Sequence, residues 1–173
     1  MAGAMMAAWL DITAEVEAEF ADWYFREHVP ERVTLPGFRS GRRYTAPDGG
    51  PKKYLALYEG TSKDVFASEA YRERLDVPTE WTTKIMPHFR NFARSVFDVR
   101  LELGNQYGGA ITTIRYASGD GLVDWLEGEA LPALAERSGI CRVLLLEGDE
   151  EQSKPKTKEA KMRDAAGGNA WAP

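Results

Sequence analysis

The stretch DWYFREHVPERVTLPGFRSGRRY, residues 22–44, changes its hydrophobic period halfway along, and with YLALYE at 54–59 it decides the fold. On its N-terminal side Val16, Phe20, Trp23, Tyr24 and Val29 recur at close to i, i+4, i+7 spacing, the pattern of an amphipathic helix. Thr13 is placed to cap that helix, with Glu15 and Glu17 in its first turn, where negative charge suits the helix dipole. Pro30 is expected to end or kink it just after His28. LPGF at 35–38 reads as a turn, and beyond it 38–46 and 53–59 read as strands flanking PDGGP, an antiparallel hairpin with a longer loop. Working outward, residues 6–12 form a short apolar strand. Residues 61–75 open with a Thr-Ser-Lys-Asp capping pattern and continue as helix, 78–88 make a second helical piece closed by Pro87, and 92–103 alternate as a strand. The first hundred residues thus spell strand, helix, strand, strand, helix, strand, an α+β arrangement.

The same unit begins again downstream. Asp22, Trp23, Pro30 and Gly37 recur as Asp124, Trp125, Pro132 and Gly139, each displaced by 102 positions, and Ala8 and Ile12 fall on Ala110 and Ile114 in the strand-like GGAITTIRY at 108–116. The alternative is coincidence between two helix-to-strand units. After CRVLLLEGDE at 141–150 the correspondence stops: YLALYEG should return at 156–162, where the chain reads KTKEAKM. The expected organisation is a complete repeat over 1–103, a partial one over 104–150, and a flexible charged loop and tail over 151–173. At the same displacement His28 becomes Ala130, Arg42 becomes Leu144, Tyr44 becomes Leu146 and Asp11 becomes Thr113, which predicts one function-bearing half and one scaffold half. A truncated second copy leaves a strand edge uncovered, and so predicts a homo-oligomer or a tail that folds back.

Among 173 residues, 22 Lys+Arg face 27 Asp+Glu, a net charge of −5, which provides no basic face for nucleic acid or anionic lipid. Lys154, Lys156, Lys158, Lys161 and Arg163 form a basic run, but interleaved and flanking acids make it read as a solvated loop. The single cysteine, Cys141, cannot close an intrachain disulfide and reads as a small buried hydrophobe, and two histidines are too few for the usual zinc site. The opening MAGAMMAAWLD meets Asp11 too early for a signal peptide or a membrane span, so a reducing, cytoplasmic setting is expected. There is no glycine-rich phosphate loop, nucleophile elbow or acidic metal cluster, and no cofactor or metal is expected.

The segments 22–44 and 54–59, with a helix ending in His28 and Pro30 that leads through PGF into an Arg/Tyr-bearing strand, resemble the EthD-like branch of the dimeric α+β barrel superfamily. The resemblance implies a ferredoxin-like domain, an antiparallel sheet with helices on one face, two of which pair into a barrel that often holds an apolar or aromatic ligand. Joined to the repeat, it implies a tandem arrangement with both halves of one barrel on one chain, the second truncated. The superfamily includes cofactor-independent monooxygenases, isomerases, polyketide cyclases and haem proteins, and His28 has the position of the motif's histidine.

Strand alternation then selects candidates. If Leu55 and Leu57 pack under the helices, Tyr54 and Tyr58 look into the barrel, and Trp9, Asp11, Arg42 and Tyr44 join them in an aromatic box with one acid and one guanidinium. Such a wall suits a small aromatic or polyketide-like molecule carrying a carbonyl or phenolate. The alternative is a packed core whose tyrosine hydroxyls reach the rim. His28 is the candidate acid–base group because imidazole titrates near neutrality. Alternatively it sits at the dipole of the last helical turn. His88 reads as structural. The expected chemistry is cofactor-independent proton transfer by His28, Arg42 and Asp11, with a non-catalytic ligand-binding or oligomerising module and a haem protein as the other readings.

Overall fold

A computed structural model describes residues 3–46, 52–117, 119–149, 153 and 157–165. The described residues form two compact units, one within 2–98 and 148–173 and one within 99–147. In chain order the elements are β1 (Ala4–Ile12), α1 (Glu17–Trp23), a π-helical turn (Tyr24–His28), α2 (Val29–Val33), β2 (Phe38–Thr45), β3 (Tyr54–Gly60), α3 (Glu69–Asp76), α4 (Glu80–Ile85) and β4 (Phe89–Leu103), then α5 (Leu122–Trp125), a second π turn (Leu126–Ala130), α6 (Leu131–Ala135), β5 (Val143–Asp149) and α7 (Lys158–Ala165). The strands form one five-stranded antiparallel sheet in the order β2-β3-β1-β4-β5. The first four strands lie in the order expected of a ferredoxin-like fold.

In the larger unit β1 is the central strand, hydrogen-bonded antiparallel to β3 and to β4. Its buried residues Ala4, Met6, Ala8 and Leu10 pack with Phe20, Trp23 and Tyr24 of the helical layer. Pro30 does not end the helix. Val29 donates its N–H to the carbonyl of Tyr24, five residues back, and the wider turn delivers Pro30 to the first turn of α2, where a missing N–H costs nothing. Thr13 does not cap α1 with its side chain; its hydroxyl bonds instead to His88 Nδ1 at 2.9 Å. His88, which also lies 3.5 Å from Glu15, ties the start of the helical layer to the start of β4. The capping expected beyond β3 belongs to Ser68, which accepts from the N–H of Tyr71, and to Thr79, which accepts from that of Thr82.

The sheet-face expectation is reversed for β3, and the wall expected of Trp9, Asp11, Arg42, Tyr44, Tyr54 and Tyr58 is split between the two faces. Tyr54, Ala56 and Tyr58 belong to the core under the helices. Leu55 and Leu57 pair with Trp9 and Ala7 of β1 and with Tyr44 and Arg42 of β2, so those residues share the opposite face. In β3 the tyrosine rings, with Phe20, supply the bulk that fills the helix–sheet layer in place of the two leucines, while Trp9, Arg42 and Tyr44 keep the face away from the helices.

The smaller unit holds the end of β4, the start of β5, and the helical segment between them. Its second π turn repeats the first at a displacement of 102, with the N–H of Leu131 bonded to the carbonyl of Leu126, and Pro132 again opens the following helix. Gly37 and Gly139 both have positive φ, 87° and 86°. The expected strand at 108–116 does not form: β1 is held between β3 and β4, whereas no strand is paired with 108–116 among the described residues. Cys141 is exposed just ahead of β5, not buried within it. The expected flexible tail includes a helix, α7, whose Glu159 and Arg163 are buried, so the basic run is not simply solvated there. The loop residues 47–51 and the end 166–173 lie outside the described residues. Among the described residues, no helix is long and apolar enough to cross a membrane.

Candidate functional site

Between the helical layer and the sheet of the larger unit lies a cavity of about 40 Å³, walled by Tyr24, His28 and Arg32 from the first helical segment, Tyr58 from β3, Arg94 from β4 and Glu159 from α7. Tyr24, His28 and Arg32 recur every four residues, so the face that Phe20 begins as apolar continues into the cavity as polar. Phe89 and Phe92 close its aromatic side.

His28 packs against Trp23 and Tyr24 with tilted rings, the centroids 4.4 and 4.7 Å away. Its Nδ1 is buried and has no hydrogen-bond partner among the described residues. Burial holds the imidazole well below its ordinary 6.5, and the Arg32 and Arg163 charges push it in the same direction. The ring is therefore neutral at physiological pH, with one nitrogen able to accept a proton. Tyr58 donates its hydroxyl hydrogen to the Tyr24 hydroxyl at 3.2 Å, which leaves the Tyr24 proton to be given to a third group. Burial raises Tyr24 to about 12 and Tyr58 well above its usual value, so both remain protonated donors.

Arg32 is only 1% exposed. Its guanidinium donates to Glu31 at 2.7 Å and to Glu159 at 2.6 Å. Burial opposes its charge, but Glu159, Tyr71 and Tyr58 more than offset that penalty and raise its pKa. Burial also raises the Glu31 carboxyl despite the neighbouring Arg32 and Arg74. From α7, Arg163 lies 3.8 Å from Glu159 and places its guanidinium 4.1 Å from the Phe92 ring centroid. Arg94 donates to the sulfur of Met6 at 3.0 Å.

Of the residues singled out from the sequence, His28 and Tyr58 meet in this cavity. Tyr54 is on the same sheet face but donates to Glu17 and packs on Phe20 at 5.0 Å. Trp9, Asp11, Arg42 and Tyr44 are not brought to His28; Trp9, Arg42 and Tyr44 share the other face, and Asp11 lies past a register shift in β1. The Asp11 carboxylate accepts from the Lys53 backbone N–H and the Asn91 side chain, both at 2.7 Å, and so pins the start of β3 to the irregular start of β4. The cavity's Tyr24, Arg32, Arg94 and Glu159 were missed. The first two were recoverable from the four-residue spacing through His28.

No group of three His, Cys, Asp or Glu residues that could hold a metal occurs among the described residues. No protein-family model matches the chain, and no curated protein matches it.

Proposed function

We propose that this chain is a small-molecule enzyme of the dimeric α+β barrel type that moves a proton on an aromatic or polyketide-like compound without a cofactor. The observation that carries the reading is the buried, neutral, unpartnered Nδ1 of His28 at an aromatic-walled cavity that also holds a tyrosine hydroxyl and a guanidinium. In such a step the imidazole takes a proton from the carbon or hydroxyl beside a carbonyl, Tyr24 donates a hydrogen bond to the oxygen that gains charge, and His28 returns the proton at a second position. Proton balance is complete within the site, as an isomerisation or cyclisation requires. Arg32 takes the role expected of Arg42 and supplies the guanidinium.

The smaller unit supports a scaffold role in an oligomer. The helical segment 122–135 repeats the backbone of 20–33, but Ala130 and Leu134 stand where His28 and Arg32 do, and Trp125 and Ile114 are exposed. A truncated tandem repeat that self-associates through this unit accounts for both features. The exposed, unpaired Cys141 suits a reducing, cytoplasmic setting.

Screening aromatic keto and phenolic compounds for turnover, followed by His28→Gln on any substrate found, tests the reading. A loss of about 10²–10⁴ in kcat supports general acid–base work. Unchanged turnover in His28→Gln removes it, and a screen that yields only unaltered bound compounds leaves a ligand-binding module.

A further inference from the structure

In the larger unit, α7 occupies the His28 cavity with two charged side chains. Glu159, 2% exposed, places a carboxylate on Arg32, and Arg163 lies on the face of Phe92. Space for about two or three waters remains, whereas a pocket for even a modest ligand is several times larger. Thus the polar groups of a site are assembled, and the volume a ligand would need is filled by a segment from the far end of the sequence. The chemistry of that segment describes what it replaces: a carboxylate on a guanidinium, beside a flat group over the Phe92 ring.

We propose that the cavity is a binding site for a small aromatic carboxylate, and that α7 is its built-in competitor, with Glu159 standing where the carboxylate of the ligand would bind. The inference rests on the reading of the His28 cavity as the functional site, but requires no turnover. Exchange of one carboxylate for another keeps Arg32 paired throughout, whereas a neutral ligand that displaced α7 would leave a buried guanidinium without its closest partner. The ring of the ligand would lie among Tyr24, Tyr58 and Phe92, facing the open Nδ1 of His28. With α7 withdrawn, Arg32 and Arg94 both line the cavity, and Glu31 stays on the other side of Arg32.

α7 has further ties: the Lys158 N–H donates to Asp76 at 2.8 Å, Arg163 Nη1 donates to the Met86 sulfur at 3.9 Å, and Met162 packs against the core. The carboxylate on Arg32 is the contact a ligand can reproduce.

The test is amide hydrogen exchange of residues 158–165 in the wild-type chain with sodium benzoate and, separately, with benzamide, its neutral analogue of nearly the same shape. Benzoate is expected to speed exchange in α7 by at least ~10-fold while slowing it around His28, and benzamide to bind roughly 100-fold more weakly with no such effect. Glu159→Gln is expected to bind benzoate about 10-fold more tightly, because the competing carboxylate is gone. Benzoate binding at His28 that leaves α7 exchange unchanged, or equal responses to benzoate and benzamide, overturns the proposal, as does failure of both the wild type and Glu159→Gln to bind benzoate. Binding with release of α7 but no turnover of any aromatic acid would retain this inference and remove the catalytic reading; turnover that depends on His28 with α7 fixed would do the reverse.

Discussion

Residues 17–45 and 119–147 trace the same path, α-helix, π turn, proline-led helix, left-handed glycine and strand, yet their side chains meet opposite surroundings. Trp23 is fully buried against Phe20, Tyr24, His28 and Phe89, and its indole N–H donates to Glu27 and Thr82; Trp125, 102 positions later, is 50% exposed. Tyr24, His28, Arg32 and Arg43 correspond to Leu126, Ala130, Leu134 and Leu145. The backbone geometry therefore does not require the polar groups. What distinguishes the first segment is that β3, α3, β4 and α7 enclose with it a cavity lined by Tyr24, His28 and Arg32.

That difference is broken most directly at the tryptophans. Trp23→Ala should cost about 4 kcal/mol in urea unfolding, from the buried ring and the lost indole hydrogen bonds, whereas Trp125→Ala should cost about 1 kcal/mol or less. Equal losses would show that the two segments are equally enclosed. Next in size is Arg32→Leu, which writes the residue of the second segment into the first. It leaves the buried Glu159 carboxylate to Arg163, 3.8 Å away, in place of Arg32 at 2.6 Å, and a loss of about 3 kcal/mol is expected, with α7 exchanging its amides faster. A stable variant with protected α7 would mean that the ion pair does not hold the helix.

Gly37 and Gly139 sharpen the comparison further. Both occupy left-handed backbone, so alanine at either costs about 1–2 kcal/mol of conformational strain. A Cβ at Gly37 would also come within 2.5 Å of Val65 Cγ2, while one at Gly139 meets nothing within 4 Å. Gly37→Ala should therefore be the more damaging by about 2 kcal/mol, a difference measurable from the unfolding midpoints.

The smallest effect is the one tied most closely to chemistry. His28 has a lowered pKa in the folded chain, so between that value and 6.5 the unfolded chain binds a proton that the folded chain refuses. Its contribution to stability is complete above pH 6.5 and falls, as pH drops, by up to about 1.4 kcal/mol per pH unit until the folded pKa is reached. His28→Ala, which again copies the second segment, should flatten this part of the stability profile between pH 7 and pH 5. Identical slopes in both proteins would mean that His28 titrates as if it were solvated.

The strand and helix order was legible because amphipathic periods and turn residues act locally: the path from Phe20 through Gly37 to Tyr44 could be read with its neighbours unknown. Which sheet face carried the helices was not legible, since Tyr54 and Leu55 are both credible core residues and only the packing of Phe20 onto Tyr54 decides between them. The site was half legible for the same reason. His28 stood out by its chemistry, but Arg32 meets Glu159 across 127 positions, and no local signal joins a buried arginine to an acid in a charged run. The strand at 108–116 failed from the same dependence: GGAITTIRY has strand composition, but composition does not supply strands to pair with.

A heteronuclear NMR titration with benzoate, following the side-chain signals of His28 and Tyr24 against the backbone signals of Leu126 and Ala130, tests whether the first segment alone carries the site. Saturable shifts confined to His28, Tyr24 and their neighbours are expected, with the second segment silent. Saturable shifts centred on 126–134, or equal shifts in both segments, would contradict a single site built around His28.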